Sequence, residues 1–348
     1  MHSSACKQAS GKPGVLPAMV EGMSSRWLAG VDIGGTKTAV VISQAPPVVT
    51  GRIEFPTRQE LGPQQALAQI VAGLEKLLQA QDAGPRELAG IGISCGSPLD
   101  RTSGIIQAPP NLATWVDVPI VSILSQRFNC PARLENDANA GALAEHRYGA
   151  GRGARHMLFL TLGTGFGAGL ILNNQLYTGA SDLAGEIGHV RLSRSGPVGY
   201  HKAGSAEGWA SGGGMAQIAG TMLLKARQRG ETSSLLTLKI PVTARDVGQA
   251  ARDGDQVARR ILTASGRRLG EALAVLVDLF NPERIVMGGL GMRLGELLVG
   301  PARKVLAREA LAASVAACRI VPAELGEQIG DIAALSVVPG GENFQTNP

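Results

Sequence analysis

Cysteines, aromatic side chains and long apolar runs are all scarce in this 348-residue chain. Its four cysteines, Cys6, Cys95, Cys130 and Cys318, form no Cys-x-x-Cys pair. That spacing suggests neither a disulfide framework nor a cysteine zinc cluster. Free thiols in a reducing compartment are the expectation, and the expected location is cytoplasmic. Aromatics make up 3% of residues, too few for a stacking platform for single-stranded nucleic acid. No apolar run reaches the roughly 18 residues that would cross a bilayer. Residues 1–26 mix Ser, Gly, Lys and Pro, lack the apolar centre of a signal peptide, and read as a flexible tail. Charged residues are limited to 18%, with a net charge of +5. The arginines lie in scattered pairs (Arg152 and Arg155, Arg259 and Arg260, Arg267 and Arg268), as on solvated helix faces rather than in a nucleic-acid patch. Neither a nucleic acid nor a membrane is therefore expected as a partner. A mild positive field still favours an anionic co-substrate.

Glycine, in contrast, is abundant at 47 residues, and 44% of the chain is hydrophobic, enough for two domains with substantial cores. The first half reads as ββ-β-α-β-α-β. Apolar runs at 27–31 and 39–42 flank Asp32-Ile33-Gly34-Gly35-Thr36-Lys37-Thr38, and a third extended segment lies at 51–55. Helical spacing of Ala66, Ile70, Leu74, Leu77 and Leu78 predicts a helix over 63–81. A buried strand at 88–94, a helix near 119–128, a short strand at 132–135 and a helix at Ala140–Arg147 follow. The second half repeats the pattern: a strand at 155–162, the turn Gly163-Thr164-Gly165-Phe166-Gly167-Ala168-Gly169, and a returning strand at 170–172. Helices are then expected at 212–229, 243–252, 255–281 and 294–308, strands at 284–287 and 318–321, and a last helix at 331–337. Two strand–glycine turn–strand hairpins, one per half, suggest an internal duplication whose facing turns could grip a polyphosphate between two domains; one large α/β domain with glycine-rich edges is the other reading.

Taken singly, the polar motifs leave alternatives open. Gly34 and Gly35 let backbone N–H groups approach an anion, Thr36 and Lys37 add donors, and Asp32 suits a hydrated Mg²⁺. An ordinary hairpin turn requiring positive φ would look the same. In Glu135-Asn136-Asp137-Ala138-Asn139-Ala140, at a strand end, Asp137 suits a general base for phosphoryl transfer. Helix capping would account for one of these polar residues. Glu186 and His189, flanked by glycines, suit recognition of vicinal hydroxyls; a metal pair or a solvated turn is the other reading. Glu207 precedes the run Gly212-Gly213-Gly214, which opens a helix whose N-terminus suits a nucleotide.

In order along the chain, these motifs resemble the ROK family of bacterial sugar kinases and repressors, within the actin/hexokinase-like superfamily. The likeness covers about residues 27–340. It rests on Asp32–Lys37, Pro110-Asn111-Leu112, Glu135–Ala140, Gly163–Gly169, Ala184-Gly185-Glu186-Ile187-Gly188-His189 and Gly288-Gly289. The resemblance implies two actin-like (ribonuclease H-like) α/β domains around a central cleft. They would be a smaller one over 27–134, joined by the C-terminal helix 331–340, and a larger one over 135–330. It implies ATP-dependent phosphorylation of a hexose at O6, with Mg²⁺ and a homodimer. Asp137 would be the catalytic base, and Gly96, Asn111, Asn136, Glu186, His189 and Glu207 would meet the sugar. Asp32, Gly34, Gly35, Thr36, Lys37, Thr164, Gly165, Gly213 and Gly289 would meet the nucleotide and its ion. One departure is clear. Zinc-bearing members carry three cysteines where this chain has Val198, Tyr200 and Ser205, with His189 as fourth ligand, so no structural zinc is expected. The family's repressors carry a winged helix-turn-helix of roughly 70 residues, for which the stretch before Trp27 is too short and aperiodic. The repressor reading is thus disfavoured. A sugar-binding regulator without turnover would need neither Asp137 nor both glycine turns, and the Glu186/His189 pair and the Asn111 loop argue against an actin-like ATPase that activates another enzyme.

Overall fold

A computed structural model describes residues 26–238 and 241–339. Apart from Arg26, the tail expected over 1–26 lies outside the described residues. The first half contains β1 (Trp27–Ile33), β2 (Lys37–Ser43), β3 (Gly51–Pro56), α1 (Pro63–Gln79), β4 (Leu88–Cys95), the small strands β5 (Leu99–Asp100) and β6 (Ile105–Ile106), α2 (Ile120–Phe128) and β7 (Ala132–Asn136). After α3 (Asp137–Tyr148) come β8 (Met157–Leu162), β9 (Phe166–Leu172), β10 (Gln175–Tyr177), the small strands β11 (Val198–Gly199) and β12 (Lys202–Ala203), α4 (Ala206–Ala210), α5 (Gly212–Gln228), α6 (Ala244–Arg252) and α7 (Gln256–Phe280). The chain continues through β13 (Arg284–Met287), α8 (Leu290–Leu294), α9 (Glu296–Glu309), α10 (Ala312–Ala317), β14 (Arg319–Pro322) and α11 (Ile329–Ser336).

Two five-stranded sheets have one topology. The orders are β3-β2-β1-β4-β7 and β10-β9-β8-β13-β14. In each, the first three strands form an antiparallel meander and the last two run parallel to the first. The duplication expected from two glycine hairpins therefore extends to whole sheets. Parallel strands covered on both faces read as continuous apolar runs, as in Leu28–Val31 and Met157–Leu160. A core of Ile70, Leu74, Ile91, Ile93, Leu124 and Leu134 serves the first sheet. A larger one, with Leu158, Leu160, Ile261, Leu269, Leu273 and Leu298, serves the second.

Two helices join the halves. α3 packs on β8 and β9, α11 packs on β1 and β4, and the two helices pack on each other. Glycines make both contacts possible. A Cβ at Gly169 would strike the Ala138 carbonyl oxygen, and one at Gly92 the Ala334 carbonyl oxygen. Glu145, fully buried on α3, takes its hydrogen bonds from the backbone N–H groups of Ala150 at 2.7 Å, Leu325 at 3.0 Å and Glu324 at 3.2 Å. It thereby fixes the chain that leads into α11.

Two helix boundaries differ from the expectation. The helix expected from Ala140 begins at Asp137, because the Asn136 side chain accepts hydrogen bonds from the N–H groups of Ala138 at 2.9 Å and Asn139 at 3.3 Å. The helix expected over 294–308 is broken between α8 and α9 at Gly295, whose φ of 51° lies in the left-handed region.

α7 starts at Asp255, whose carboxylate accepts from the N–H groups of Val257 (2.9 Å) and Ala258 (3.0 Å) and also binds Ser233 and Ser234. Burial pushes this carboxyl up, but the donated hydrogen bonds outweigh it and hold it below its usual value. Asp255→Ala should therefore cost about 2 kcal/mol at neutral pH. Because the folded pKa is depressed, this contribution is present above the unfolded value near ~3.9 and fades as pH falls through the folded one. Thermal melts of both proteins should converge in acid; a constant gap would reject the assignment.

Candidate functional site

The carboxyl ends of the parallel strands carry the candidate residues, as in open α/β sheets generally. In the first half, β1 delivers Asp32, β4 delivers Cys95 and Gly96, and β7 delivers Asn136 and Asp137. Asp32 is half-buried and pushed up to about 6 by burial and by the charge of Asp137, with Asp331 adding to the rise against a hydrogen bond from Ser94. Its carboxylate lies against Gly330 at the start of α11, where a Cβ would collide with it. Asp137 is exposed, yet the protein mass around it raises its carboxyl despite the hydrogen bond donated by Ala138 N–H at 2.8 Å.

Neither Gly34 nor Gly35 has a positive φ. The turn needs glycine for another reason: a Cβ at Gly35 would lie 2.6 Å from Asn111 Cβ and 2.7 Å from its carbonyl oxygen. The phosphate-type turn and the Asn111 loop therefore touch. Thr36 is exposed, and Lys37 reaches Glu54 at 2.9 Å, with Arg52 linking Glu54 to Asp331 of α11. Asn136 donates to Ser97 at 2.8 Å, one residue beyond Gly96, beside which a Cβ would find open space.

In the second half, Gly163 and Gly165 also lack positive φ. Gly163 accepts a hydrogen bond from Gly212 N–H at 2.8 Å, so the N-terminus of α5 abuts the turn and Gly213 sits by Thr164. Gly289, at φ 56°, packs against the end of β8. Thr164, Gly165, Gly213 and Gly289 thus gather at one sheet end. Gly185, at φ 96°, ties its loop to β9, and Gly188 packs closely on Phe166. Glu186 and His189 are thereby brought beside Glu207. Burial and the charges of Glu207 and Asp137 raise Glu186, while His189 opposes them. These four side chains, from three separate segments, share one electrostatic neighbourhood. Glu207 also reaches the glycine turn: its Oε2 accepts from Phe166 N–H at 3.1 Å and lies where a Gly165 Cβ would be.

The sequence reading missed one component. Arg101 pairs with buried Glu135 at 2.8 Å and with Asp182 at 2.5 Å, linking the β5–β6 hairpin of the first half to the Glu186 loop of the second. Burial raises Glu135, whereas the hydrogen bond from Asn139 and the charge of Arg101 lower it. Nothing in the periodicity around Arg101 marks it; only a buried Glu next to the candidate base hinted that a cation was needed.

Duplicated sheets of this order, with glycine turns and carboxylates at the carboxyl ends of their parallel strands, define the actin-like ATPase fold. Within it the chain belongs to the ROK family, whose profile matches residues 28–340. It is 32% identical over 327 residues to a glucokinase of Halalkalibacterium halodurans, covering 92% of this chain and 97% of that protein. A xylose repressor of Caldicellulosiruptor bescii is 29% identical over 268 residues, covering 76% and 66%. Among solved structures, a Streptomyces griseus ROK glucokinase in complex with glucose and AMPPNP superposes with a TM-score of 0.74 at 28% identity, covering 90% and 99%. No helix among the described residues is long and apolar enough to cross a membrane.

Proposed function

We propose that the protein is an ATP-dependent hexose kinase that transfers the γ-phosphoryl group to the sugar O6. The observation that carries this reading is the placement of Asp137 at the first position of α3, where its charge reaches both Asp32 at the first glycine turn and Glu186, which also feels His189 and Glu207. The near full-length glucokinase likeness supports it. In the reaction, the O6–H proton passes to Asp137, O6 bonds to the γ-phosphorus, and the bond to the bridging oxygen breaks to leave ADP. Asn111, Asn136, Glu186, His189 and Glu207 would orient the hydroxyls, with Gly96 leaving room. The turns at Gly34–Lys37 and Thr164–Gly165 would face the phosphates, with Gly213 and Gly289 toward the nucleoside. Mg²⁺ suits the site: Asp32 is a carboxylate raised by burial and by the charge of Asp137, and Mg²⁺ commonly binds through one or two carboxylates plus substrate phosphates. When bound it would supply positive charge to the phosphates, and Asp32 would help to hold it. The two halves, divided as 27–134 plus α11 and 135–330, would close over the substrates, and a homodimer in the cytoplasm completes the reading.

ADP release measured by a coupled assay across glucose, mannose, fructose, allose and N-acetylhexosamines should rise above the sugar-free rate with at least one. The second reading, a sugar-binding regulator without turnover, draws support from the xylose-repressor likeness. Binding of a hexose with no ADP release would favour it and reject the kinase.

A further inference from the structure

The segment between His189 and Glu207 is where zinc-bearing relatives would place their metal, and the side chains here do not fit one. Val198 has no donor atom. Tyr200 turns its ring edge-on to His189, with centroids 5.9 Å apart and planes at 72°. Ser205 is fully buried and spent on the backbone: its hydroxyl accepts from Gly208 N–H at 3.1 Å as the cap of α4 and donates to the Gly199 carbonyl at 3.3 Å. Among the described residues, no three His, Cys, Asp or Glu side chains gather as a metal site.

The β11–β12 hairpin still needs support. It has only two residue pairs, Val198 with Ala203 and Gly199 with Lys202. A hairpin so short does not persist alone in water. Its turn also places two non-glycine residues, Tyr200 and His201, at φ 42° and 61°, a conformation that costs free energy. The support comes from side chains around it. Gln217 of α5 accepts from Val198 N–H at 2.9 Å through Oε1 and donates to the Val198 carbonyl at 2.8 Å through Nε2. One amide side chain thus satisfies both backbone groups of one strand residue, as a neighbouring strand would. Lys202 donates to the His189 carbonyl at 2.8 Å, and Arg191 to the Ala203 carbonyl at 2.6 Å. Behind the hairpin, Trp209 donates to Ser193 at 2.8 Å and lies under the Arg268 guanidinium, 5.0 Å from the ring centre.

We propose that Gln217 takes the place of the metal as a positioning residue: it holds the β11–β12 hairpin and thereby sets His189 and Glu207 for the sugar. The mechanical link is short. Lys202, on the hairpin, holds the His189 carbonyl; Tyr200, in its turn, flanks the imidazole; Ser205, just after it, caps the helix that carries Glu207. The sugar part of this inference rests on the kinase reading, whereas the clasp itself does not.

The test compares wild type with Gln217→Ala and Gln217→Glu, the latter keeping the acceptor for Val198 N–H but losing the donor. Hydrogen exchange without sugar should quicken at the amides of 198–209 in Gln217→Ala and less so in Gln217→Glu. The dissociation constant for the preferred hexose should rise about fivefold or more in Gln217→Ala, with Gln217→Glu between, while that for the non-hydrolysable nucleotide AMPPNP stays within about twofold of wild type. Metal analysis of the wild type should find well under one zinc per chain, and dialysis against a zinc chelator should leave exchange at 198–209 unchanged. Unchanged exchange in Gln217→Ala, or stoichiometric zinc in the wild type, overturns the clasp. Faster exchange with an unaltered hexose affinity overturns the positioning role and leaves the kinase reading standing. A wild type that binds no hexose overturns the kinase reading and the positioning role together, and exchange alone then decides the clasp.

Discussion

Asp137→Ala should lower kcat by at least about a hundredfold, within the usual range for loss of a general base, while the hexose dissociation constant changes by no more than about threefold. Chemistry and folding are separable at this position. Asn136, not Asp137, caps α3, so the helix start survives the substitution. Asp137 also sits in a surplus of negative charge, since it raises Asp32, Glu186 and the buried Cys95 thiol. Removing it relieves repulsion, so the melting temperature should hold or rise. The raised carboxyl favours its task, because the protein mass around it makes this carboxylate a stronger proton acceptor than one in open water. Steady-state kinetics with calorimetric sugar binding would check this. Phosphorylation at the wild-type rate rejects Asp137 as the base.

Local pattern carried most of the architecture and the motifs, and tertiary contact supplied what it could not. The strands that bear the site have unbroken apolar runs, and α1 has clear helical spacing, so both stand out in the sequence. The two glycine turns were legible as turns, but the alternative reading that they need positive φ does not hold. Positive φ is the usual local demand for glycine, yet Gly35 and Gly165 answer to a neighbour instead, Asn111 in one case and the Glu207 carboxylate in the other. Close approach between segments 42 or more residues apart has no local signature. The same holds for β5–β6 and β11–β12, too short for any period: Arg101 in the turn of the first ties it to Glu135 and Asp182, and Gln217 of α5 holds the second from outside. Glu207 shows the limit within the site. Its sequence neighbourhood drew it into the candidate set, but its hydrogen bond from Phe166 N–H, which ties the Glu186–His189 neighbourhood to the second glycine turn, is visible only in the fold.

The largest stability effect is expected at a glycine far from any motif. Gly92, in the middle of β4, faces α11, where a Cβ would run into the Ala334 carbonyl oxygen and lie 2.8 Å from Val338 N. Both obstacles are backbone, so no side-chain rotation relieves them, and α11 itself must shift. That helix is packed against α3 on its far side and anchored by Arg147, which donates to the Ser336 carbonyl at 2.7 Å. Gly92→Ala should therefore cost about 3 kcal/mol as overpacking and lower the melting temperature by roughly 6–10 °C. Gly220 supplies the control: it lies inside α5 with nothing within 4 Å of a Cβ, so Gly220→Ala should hold or raise the melting temperature by a few degrees, about 1 kcal/mol in its favour. Activity should follow the helix. α11 begins against the Asp32 carboxylate and carries Asp331, which binds Arg52 at 2.7 Å and through it Glu54 and Lys37. A displaced α11 moves Asp32 and the phosphate-type turn together, so Gly92→Ala should raise KM for ATP more than for the sugar, even at temperatures where it is fully folded. Equal melting temperatures for Gly92→Ala and wild type would show that α11 yields freely, and the rigid link between that helix and the turn would fall with it.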